Sequence, residues 1–289
     1  MIICIVGPTG VGKTRLSIAL AKKYNAIIIN CDAMQIYKDL NIGTAKITEE
    51  EKENIPHFLF DIKNINEEYS VYDYQKDARA LIEKHKDKNI IFVGGTGLYL
   101  KAALYDYRFN EETKKNDYSN LSDEELYNLV QKKDPHTKIH PHNRVRLERF
   151  LNKTDITKYP PVKIYNHLII GLTTNREELY ERINNRVDKM IDNGLIEEVK
   201  KFYNQGLKTK PLLSGIGYKE LYKYFDKQLS LTEAIDLIKK NSRHYAKRQY
   251  TFFNNQLNVT WFNVDFNNFQ NTINEITSYI ERNNPNDRS

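Results

Sequence analysis

Eight residues near the amino terminus have the types and the spacing to bind an anion. They match the pattern GxxxxGK[ST] and are Gly7, Pro8, Thr9, Gly10, Val11, Gly12, Lys13 and Thr14. Glycines let the backbone turn so that successive N–H groups point at a phosphate, and a following helix adds the partial positive charge of its amino end. Lys13 adds a full charge, and a hydroxyl such as that of Thr14 binds Mg²⁺ on phosphate oxygens. We predict a phosphate-binding loop (P-loop) that uses Mg²⁺, although the motif alone does not distinguish ATP or another nucleotide from a pyrophosphate.

A carboxylate follows the second apolar run of the chain. Residues 26–30, AIIIN, have the composition of a buried strand, and Asp32 comes two positions later. In an open α/β sheet the carboxyl ends of the strands face the ligand crevice. We therefore expect Asp32 near the bound phosphates, as a general base or as a Mg²⁺ ligand through water. The alternative is that Asp32 caps a helix or turn that begins at residues 33–37.

These residues must be positioned by alternating strands and helices. The apolar runs predict strands over 2–6, 26–30, 89–93, 167–172 and 259–264. Helical periodicity predicts helices over 13–24, 72–85, 98–104, 176–191, 195–203, 231–253 and 269–280. Such alternation is typical of an α/β fold with a parallel sheet flanked by helices, as in P-loop NTPases. The carboxyl-terminal half is predicted to be mostly helical.

One stretch interrupts the alternation. Residues 107–140 are polar and contain a single short helical segment at 124–131. We predict a small helical insertion there, so that the catalytic core comprises residues 1–106 and 141–289.

Composition limits the functional classes. The chain has 289 residues, of which 40% are hydrophobic and 28% charged, a balance that supports a packed core. Its apolar runs are shorter than the roughly 18 residues of a membrane span, and MIICIV lacks the features of a signal peptide. We expect a cytoplasmic protein without a membrane partner, in which Cys4 and Cys31 are small buried side chains. The net charge of +6 is consistent with a polyanionic partner.

A series of longer motifs resembles the tRNA dimethylallyltransferases and covers nearly the whole chain. The block DAMQIYKDLNIGTAK at residues 32–46 is much more specific than the P-loop. The other matching segments are PHFLFDI (56–62), VGGTGLYLKAALY (93–105), IHPHNRVRLERFL (139–151), REELYERINNRVDKMIDNGLIEEV (176–199), GIGYKEL (215–221) and RHYAKRQYTFF (243–253).

The resemblance implies a reaction. The enzyme would transfer a dimethylallyl group from dimethylallyl pyrophosphate to the exocyclic amine of adenosine 37, in tRNAs that read codons beginning with uridine. The P-loop, Thr14 and Mg²⁺ would stabilise the negative charge that grows on the leaving pyrophosphate. Asp32 would take the proton of the amine, and Arg186 would reach the pyrophosphate. The enzyme is expected to act as a monomer.

The resemblance also implies a surface for the anticodon stem-loop, including the insertion. Arg146 and Arg149 share one helix face, and Arg243 and Lys247 share another, with Arg144, Lys240 and Tyr250 as neighbouring candidates. Without the resemblance, these clusters have the composition of ordinary solvated faces. The full set of implied tRNA contacts is Asp32, Ala33, Met34, Gln35, Thr96, Val145, Arg146, Leu147, Glu148, Arg149, Ser214, Gly215, Ile216, Gly217, Tyr218, Lys219, Arg243 and Lys247.

Three other functions use some of the same residues. A P-loop kinase could use the loop with ATP and use Asp32 to orient an acceptor hydroxyl, but it leaves residues 32–46 and the basic segments unexplained. An enzyme that prenylates free adenine nucleotides is chemically closer, although it has no need of a basic carboxyl-terminal half. A non-catalytic RNA-binding protein would have no reason to keep Lys13, Thr14 and Asp32 together.

Overall fold

The computed structural model describes residues 1–109, 116–152 and 162–283. Within these residues, six parallel strands form one sheet in the order β3-β2-β4-β1-β5-β6. The strands are β1 (Ile2–Val6), β2 (Ala26–Asn30), β3 (His57–Phe58), β4 (Asn89–Val93), β5 (His167–Thr173) and β6 (Thr260–Asn263).

Helices cover both faces of this sheet. They are α1 (Lys13–Tyr24), α2 (Val71–Lys84), α3 (Gly97–Leu104), α6 (Arg176–Asp192), α7 (Leu195–Asn204), α8 (Lys210–Ser214), α9 (Tyr218–Phe225), α10 (Leu231–Gln256) and α11 (Phe269–Arg282). The helices α4 (Asp123–Lys133) and α5 (Arg144–Leu151) pack against each other in a core of their own. None of the helices in the described ranges is long and apolar enough to cross a membrane.

The strand residues alternate between two cores because successive side chains of a strand point to opposite faces. In β1, Cys4 packs into a core that includes residues of α2, α3, α7 and α9. Its neighbours Ile3 and Ile5 pack into a second core with residues of α1, α6 and α11. All five residues of β1 are buried, as expected for a central strand of a parallel sheet covered on both faces.

The chain divides into two compact units. One unit comprises residues 1–105 and 163–289, and the other comprises residues 106–162. The second unit extends beyond the predicted insertion at 107–140 because α5 belongs to it. There Leu147 packs against Leu126 and Val130 of α4 in a small separate core.

The predicted α/β class is confirmed, with its parallel sheet, flanking helices and helical carboxyl-terminal half. The edge strand β3 was not predicted because two residues are too few to show a period. The short helices α8 and α9 were also not predicted, although Pro211 lies near the start of α8. Residues 33–37, a possible helix start in the sequence, are instead turns and a single bridge at Tyr37.

Candidate active site

The P-loop lies between β1 and α1, as its sequence predicts. Gly12 precedes the helix with φ +90°, a left-handed conformation that favours glycine, and a Cβ there would come 2.7 Å from the ring of Phe269. Lys13 follows at the first position of α1, and its ammonium donates to the carbonyls of Gly7 (3.0 Å) and Pro8 (2.7 Å). The lysine therefore folds back over its own loop.

Three charged side chains lie close enough at this loop to influence one another electrostatically. Burial and, to a smaller extent, the positive charge of Arg186 lower the pKa of Lys13 to about 7, although the negative charge of Asp32 opposes this shift. Burial also lowers the pKa of Arg186, again with Asp32 opposing the shift. The structure thus brings together Lys13, Arg186 and Asp32, which sequence reasoning selected from separate segments. Two partly buried cations share one carboxylate, so the cluster favours an additional anion.

Helix α6 supplies Arg186 and a second arginine one turn earlier. Arg182 donates from Nε to the carbonyl of Gly10 at 3.1 Å and so holds the P-loop from the side. Arg186 donates from Nη2 to the carbonyl of Thr44 at 3.4 Å. Sequence reasoning missed Arg182, although its i, i+4 spacing with Arg186 places both on one face of the helix.

Asp32 lies in the turn after β2, held by short-range hydrogen bonds. Its Oδ1 accepts the Met34 N–H at 3.0 Å, and its own N–H donates to Oδ1 of Asn30 at 2.9 Å. The Asn30 side chain is fully buried and also donates to the carbonyls of Asp32 (3.0 Å) and Leu59 (2.8 Å). The carboxylate orientation therefore comes from a turn rather than from a helix cap.

Thr96 connects this turn to the end of β4. The Thr96 hydroxyl accepts the Ala33 N–H at 3.0 Å, and the Thr96 N–H donates to the carbonyl of Cys31 at 3.0 Å. Gly94 allows the close approach, because a Cβ at this position would come 2.2 Å from the carbonyl carbon and oxygen of Cys31. Two predicted positions, Asp32 and Thr96, thus share one rigid corner of the site.

Helix α10 covers this corner with one of its faces. Gln249 is buried and donates from Nε2 to the carbonyl of Gly95 at 3.1 Å, while its Oε1 has no hydrogen-bond partner within the described residues. Burial raises the pKa of Tyr245, one turn earlier, and the charge of Asp32 raises it further. Neither residue was selected from the sequence, although their i, i+4 spacing within RHYAKRQYTFF was a usable signal.

A buried glutamate orders residues 40–46, which carry the Thr44 carbonyl. Glu198 of α7 accepts the N–H groups of Asn41 (3.1 Å), Ile42 (2.7 Å) and Gly43 (3.1 Å), and the hydroxyl of Tyr218 at 2.6 Å. Sequence reasoning missed Glu198, which interrupts the apolar stripe of α7 at a core position between buried residues.

The implied tRNA contacts of the larger unit fall into two groups, one formed by residues 32–35 and 214–219 and the other by Arg243 and Lys247 of α10. Met34 and Gly215 are adjacent, because a Cβ on Gly215 would lie 2.6 Å from Cε of Met34. The segment 214–219 therefore borders residues 32–35. Tyr218 is fully buried, however, so its side chain supports this segment from inside. Arg243 donates to Oδ1 of Asn184 at 2.6 Å, and Lys247 is exposed.

In the smaller unit, Val145, Arg146 and Arg149 of α5 are exposed. Leu147 is buried in the core of that unit, so its side chain faces protein. Glu148 accepts Nε of Arg144 at 2.8 Å. Arg144 also binds Asp123 and the carbonyls of Leu121 and Tyr118, and it therefore joins α4 to α5.

The residues present suit Mg²⁺ held mainly by a substrate. The described residues contain no cluster of three His, Cys, Asp or Glu side chains that would hold a metal alone. Mg²⁺ is commonly bound through one or two protein oxygens together with substrate phosphates and water. Thr14 is exposed at the start of α1. Asp32, which follows β2, lies close enough to Lys13, the neighbour of Thr14, to affect its pKa. This donor set fits an ion that arrives with a pyrophosphate.

Comparisons of this chain with a family model, with sequences and with solved structures all lead to the same family. A family model described as IPP transferase matches residues 35–256. A tRNA dimethylallyltransferase of Anoxybacillus flavithermus is 48% identical over 97% of this chain and 96% of its own length. The crystal structure of a tRNA isopentenylpyrophosphate transferase from Bacillus halodurans has a TM-score of 0.77 at 42% identity, covering 97% of this chain and 95% of that one.

A structure of a eukaryotic dimethylallyltransferase acting on tRNA is more distant in sequence. It is 28% identical with a TM-score of 0.78, and the match covers 97% of this chain and 79% of that one. The resemblance inferred from the motifs is therefore confirmed, and the chain belongs to the IPP transferase family.

Proposed function

We propose that this chain is a prenyltransferase that transfers the dimethylallyl group of dimethylallyl pyrophosphate to the exocyclic amine of adenosine 37 in tRNA. Transfer to tRNA follows from the family. The choice of adenosine 37, and of tRNAs that read codons beginning with uridine, follows from the motif resemblance. The observation that carries the proposal is that Lys13, Arg186 and Asp32 interact electrostatically at the P-loop. Two cations suit a pyrophosphate, and the carboxylate suits an amine that must lose a proton.

The transfer exchanges two bonds. The amine nitrogen forms a bond to the allylic carbon, and the carbon–oxygen bond to pyrophosphate breaks with its electron pair going to the leaving oxygen. Loop N–H groups, Lys13 and Arg186 stabilise the charge on that oxygen. The amine is a weak nucleophile because its lone pair is delocalised into the purine ring. Asp32 accepts its proton as the new bond forms, which removes the positive charge from nitrogen.

Mg²⁺ would be held by Thr14 and the pyrophosphate oxygens, with Asp32 available through water, and it would add positive charge against the leaving group. The chain's own residues provide the remaining functions. Arg182 keeps the carbonyl of Gly10 in place. The hydrogen bonds of Thr96 with Ala33 and Cys31 hold the turn that carries Asp32.

The acceptor adenosine must leave its stack before its amine reaches Asp32, at a cost of about a few kcal/mol. We propose that contacts to neighbouring nucleotides offset this cost. The exposed side chains of Arg146 and Arg149 in the smaller unit, and of Lys247 in the larger one, have the charge for phosphate contacts. We also propose that the enzyme works as a monomer in the cytoplasm, where its tRNA substrate is found.

Mass spectrometry of an anticodon stem-loop tests the proposal. The RNA carries adenosines at positions 36 to 38 and is incubated with the protein, Mg²⁺ and dimethylallyl pyrophosphate. We expect the mass of one dimethylallyl group to be added at position 37. A matched RNA with inosine at position 37, which lacks the exocyclic amine, should gain nothing.

Two outcomes would overturn the proposal. Prenylation of free AMP with none on the stem-loop would show that the acceptor is a free nucleotide. Phosphate transfer from ATP to the RNA or to a nucleoside, without any use of dimethylallyl pyrophosphate, would indicate a kinase.

A further inference from the structure

A separate cavity lies on the other side of α10 from Asp32. Its volume is about 260 Å³, and it opens between the end of β5, the first turns of α6 and the middle of α10. Its lining consists of Thr174, Arg176, Leu179, Tyr180, Lys247 and Tyr250. Lys247 and Tyr250 are one turn apart on α10. Tyr245 and Gln249 lie on the face of the same helix that covers the Asp32 corner.

The floor of the cavity is apolar and aromatic. Leu179 is buried, and the rings of Tyr180 and Tyr250 are partly buried around it. The Tyr250 hydroxyl is paired with the Thr173 hydroxyl at 2.8 Å, and Thr174 donates its hydroxyl to Glu178 at 2.5 Å. These polar groups are thus already satisfied, so the floor mainly offers flat apolar surface.

The rim of the cavity is positive. Arg176 and Lys247 are both exposed, and neither forms an ion pair with any acidic side chain of the described residues. The Arg176 guanidinium lies 5.1 Å from the centre of the Tyr180 ring, and that of Arg243 lies 5.8 Å from it. A guanidinium layered on an aromatic ring is a surface on which nucleobases stack.

We infer that this cavity binds one unpaired nucleotide of the substrate RNA, other than the adenosine that is modified. The base lies on the surface formed by Tyr180, Tyr250 and Leu179, and the adjoining phosphate is bound by Arg176 and Lys247. This inference rests on the proposed function, because it takes the RNA loop as the ligand. It adds a second base-binding site beside the catalytic one, which helps to hold the loop open while the acceptor adenosine is unstacked.

The dimethylallyl group of the donor is a less suitable occupant. Its reactive carbon must lie next to the amine that Asp32 deprotonates, whereas the cavity is lined by the opposite face of α10. A nucleotide also accounts for the unpaired charges at the rim, which a hydrocarbon chain does not.

Anticodon stem-loops that lack single bases, combined with the variant Tyr180→Ala in the cavity lining, test the inference. A set of anticodon stem-loops is prepared in which each loop nucleotide except the acceptor is made abasic in turn, and the affinity of each is measured. We expect the wild-type protein to lose about tenfold in affinity at one position, as stacking of a single base predicts. Tyr180→Ala should lower the affinity for the intact stem-loop to a similar degree. Its affinity should then not change further when the base at that position is removed.

Matched variants separate folding and charge effects from base binding. Tyr72→Ala removes an exposed tyrosine of α2 and should leave every affinity unchanged. Thermal melting and binding of dimethylallyl pyrophosphate show whether Tyr180→Ala is folded. Lys247→Gln should weaken all loops alike and reduce the salt dependence of binding by about one phosphate contact.

The inference fails if, at every loop position, the fold-loss in affinity from Tyr180→Ala and that from the abasic change multiply, as they do for independent sites. It also fails if Tyr180→Ala weakens donor binding and leaves RNA affinity intact, which would assign the cavity to the donor. The wild-type protein is assayed for prenylation of the intact loop in parallel. Product formation together with multiplying losses overturns only the cavity inference, whereas absence of product overturns the proposed function.

Discussion

At the scale of single residues, the proposed chemistry depends on how Asp32 is held. The Met34 N–H orients the carboxylate from one side, and the cations of Lys13 and Arg186 lie near it. A carboxylate beside two cations attracts the amine as its positive charge develops. In the proposed reaction the carboxylate oxygen must face the amine, and the hydrogen-bonded turn fixes its orientation.

Asp32→Asn should separate binding from chemistry. The amide keeps an oxygen to accept the Met34 N–H but cannot take a proton at neutral pH, so turnover should fall by about 10²- to 10⁴-fold. Affinity for the stem-loop, measured by filter binding, should change little. Asp39→Asn serves as the control, since Asp39 is exposed and has a positive φ that asparagine also adopts. An equal loss of binding and turnover in Asp32→Asn would remove its role as the base.

The lowered pKa of Lys13 predicts a pH dependence of donor binding. In the ligand-free protein the pKa of Lys13 is lowered from 10.5 to about 7, so its ammonium loses a proton as the pH rises through about 7. A bound pyrophosphate favours the ammonium, so binding above pH 7 takes up a proton and affinity falls as pH rises, by at most about tenfold per pH unit. Without ligand, the unfolded chain binds more protons between pH 7 and 10.5, so this group makes stability rise with pH there.

Calorimetry in buffers of different ionisation enthalpy measures this proton uptake at pH 8. Lys13→Arg should bind the donor without the uptake, because a guanidinium stays protonated throughout this range. Equal uptake in both proteins would show that the proton goes to another group.

At the scale of elements, the site is assembled by contacts between segments distant in sequence. Residues 40–46 have no regular structure of their own, and Glu198 of α7 supplies the acceptors for three of their N–H groups. The same carboxylate accepts the hydroxyl of Tyr218 from α9. One buried side chain therefore joins two helices to the loop whose Thr44 carbonyl accepts from Arg186.

Glu198→Gln should destabilise the protein by about 2 to 3 kcal/mol. Each carboxylate oxygen accepts two hydrogen bonds, so either orientation of the amide places its NH₂ group against two donors. Urea denaturation of both proteins measures the difference. Glu197→Gln changes an exposed neighbour on the same helix and should stay close to wild type. Equal stability of the two variants would show that the 40–46 loop does not depend on this carboxylate.

At the scale of the whole molecule, the chain leaves the larger unit after Tyr105 and returns to it at Lys163, and these two points are adjacent. Tyr105 and Lys163 pair in an antiparallel bridge, and the Ile164 N–H donates to the carbonyl of Leu104 at 3.0 Å. Both pairs belong to the larger unit, and the two units have separate cores. The bridge therefore brings together the two ends left by removing residues 106–162.

Replacing residues 106–162 by a short Gly-Ser linker should leave a folded protein that binds dimethylallyl pyrophosphate with nearly wild-type affinity. Binding of the anticodon stem-loop should weaken by at least about tenfold, because the phosphate contacts that we propose for Arg146 and Arg149 would be lost. Calorimetry and filter binding measure the two affinities. The intact chain with Arg146→Gln and Arg149→Gln is the control, and it should show part of the same loss. Unchanged RNA affinity after the excision would show that the smaller unit does not hold the stem-loop.

The sequence by itself determined the P-loop, most of the strands and helices, and the family. These are local properties: glycines and a lysine at set spacing form an anion site, and apolar periods of two or 3.6 residues define strands and helices. The motifs also selected Asp32 and Arg186, although they lie 154 positions apart in the printed sequence, 186 minus 32.

Only the tertiary structure decided which side chains meet and which are buried. Leu147 and Tyr218 belong to segments implied to contact tRNA, yet both are fully buried, because burial depends on the elements packed against them. The acceptor role of Glu198 and the contact of Gln249 with Gly95 join residues more than 150 positions apart. The cavity beside Tyr180 likewise forms only where β5, α6 and α10 pack together. Such pairings depend on chain topology rather than on local composition, and a single sequence does not record them.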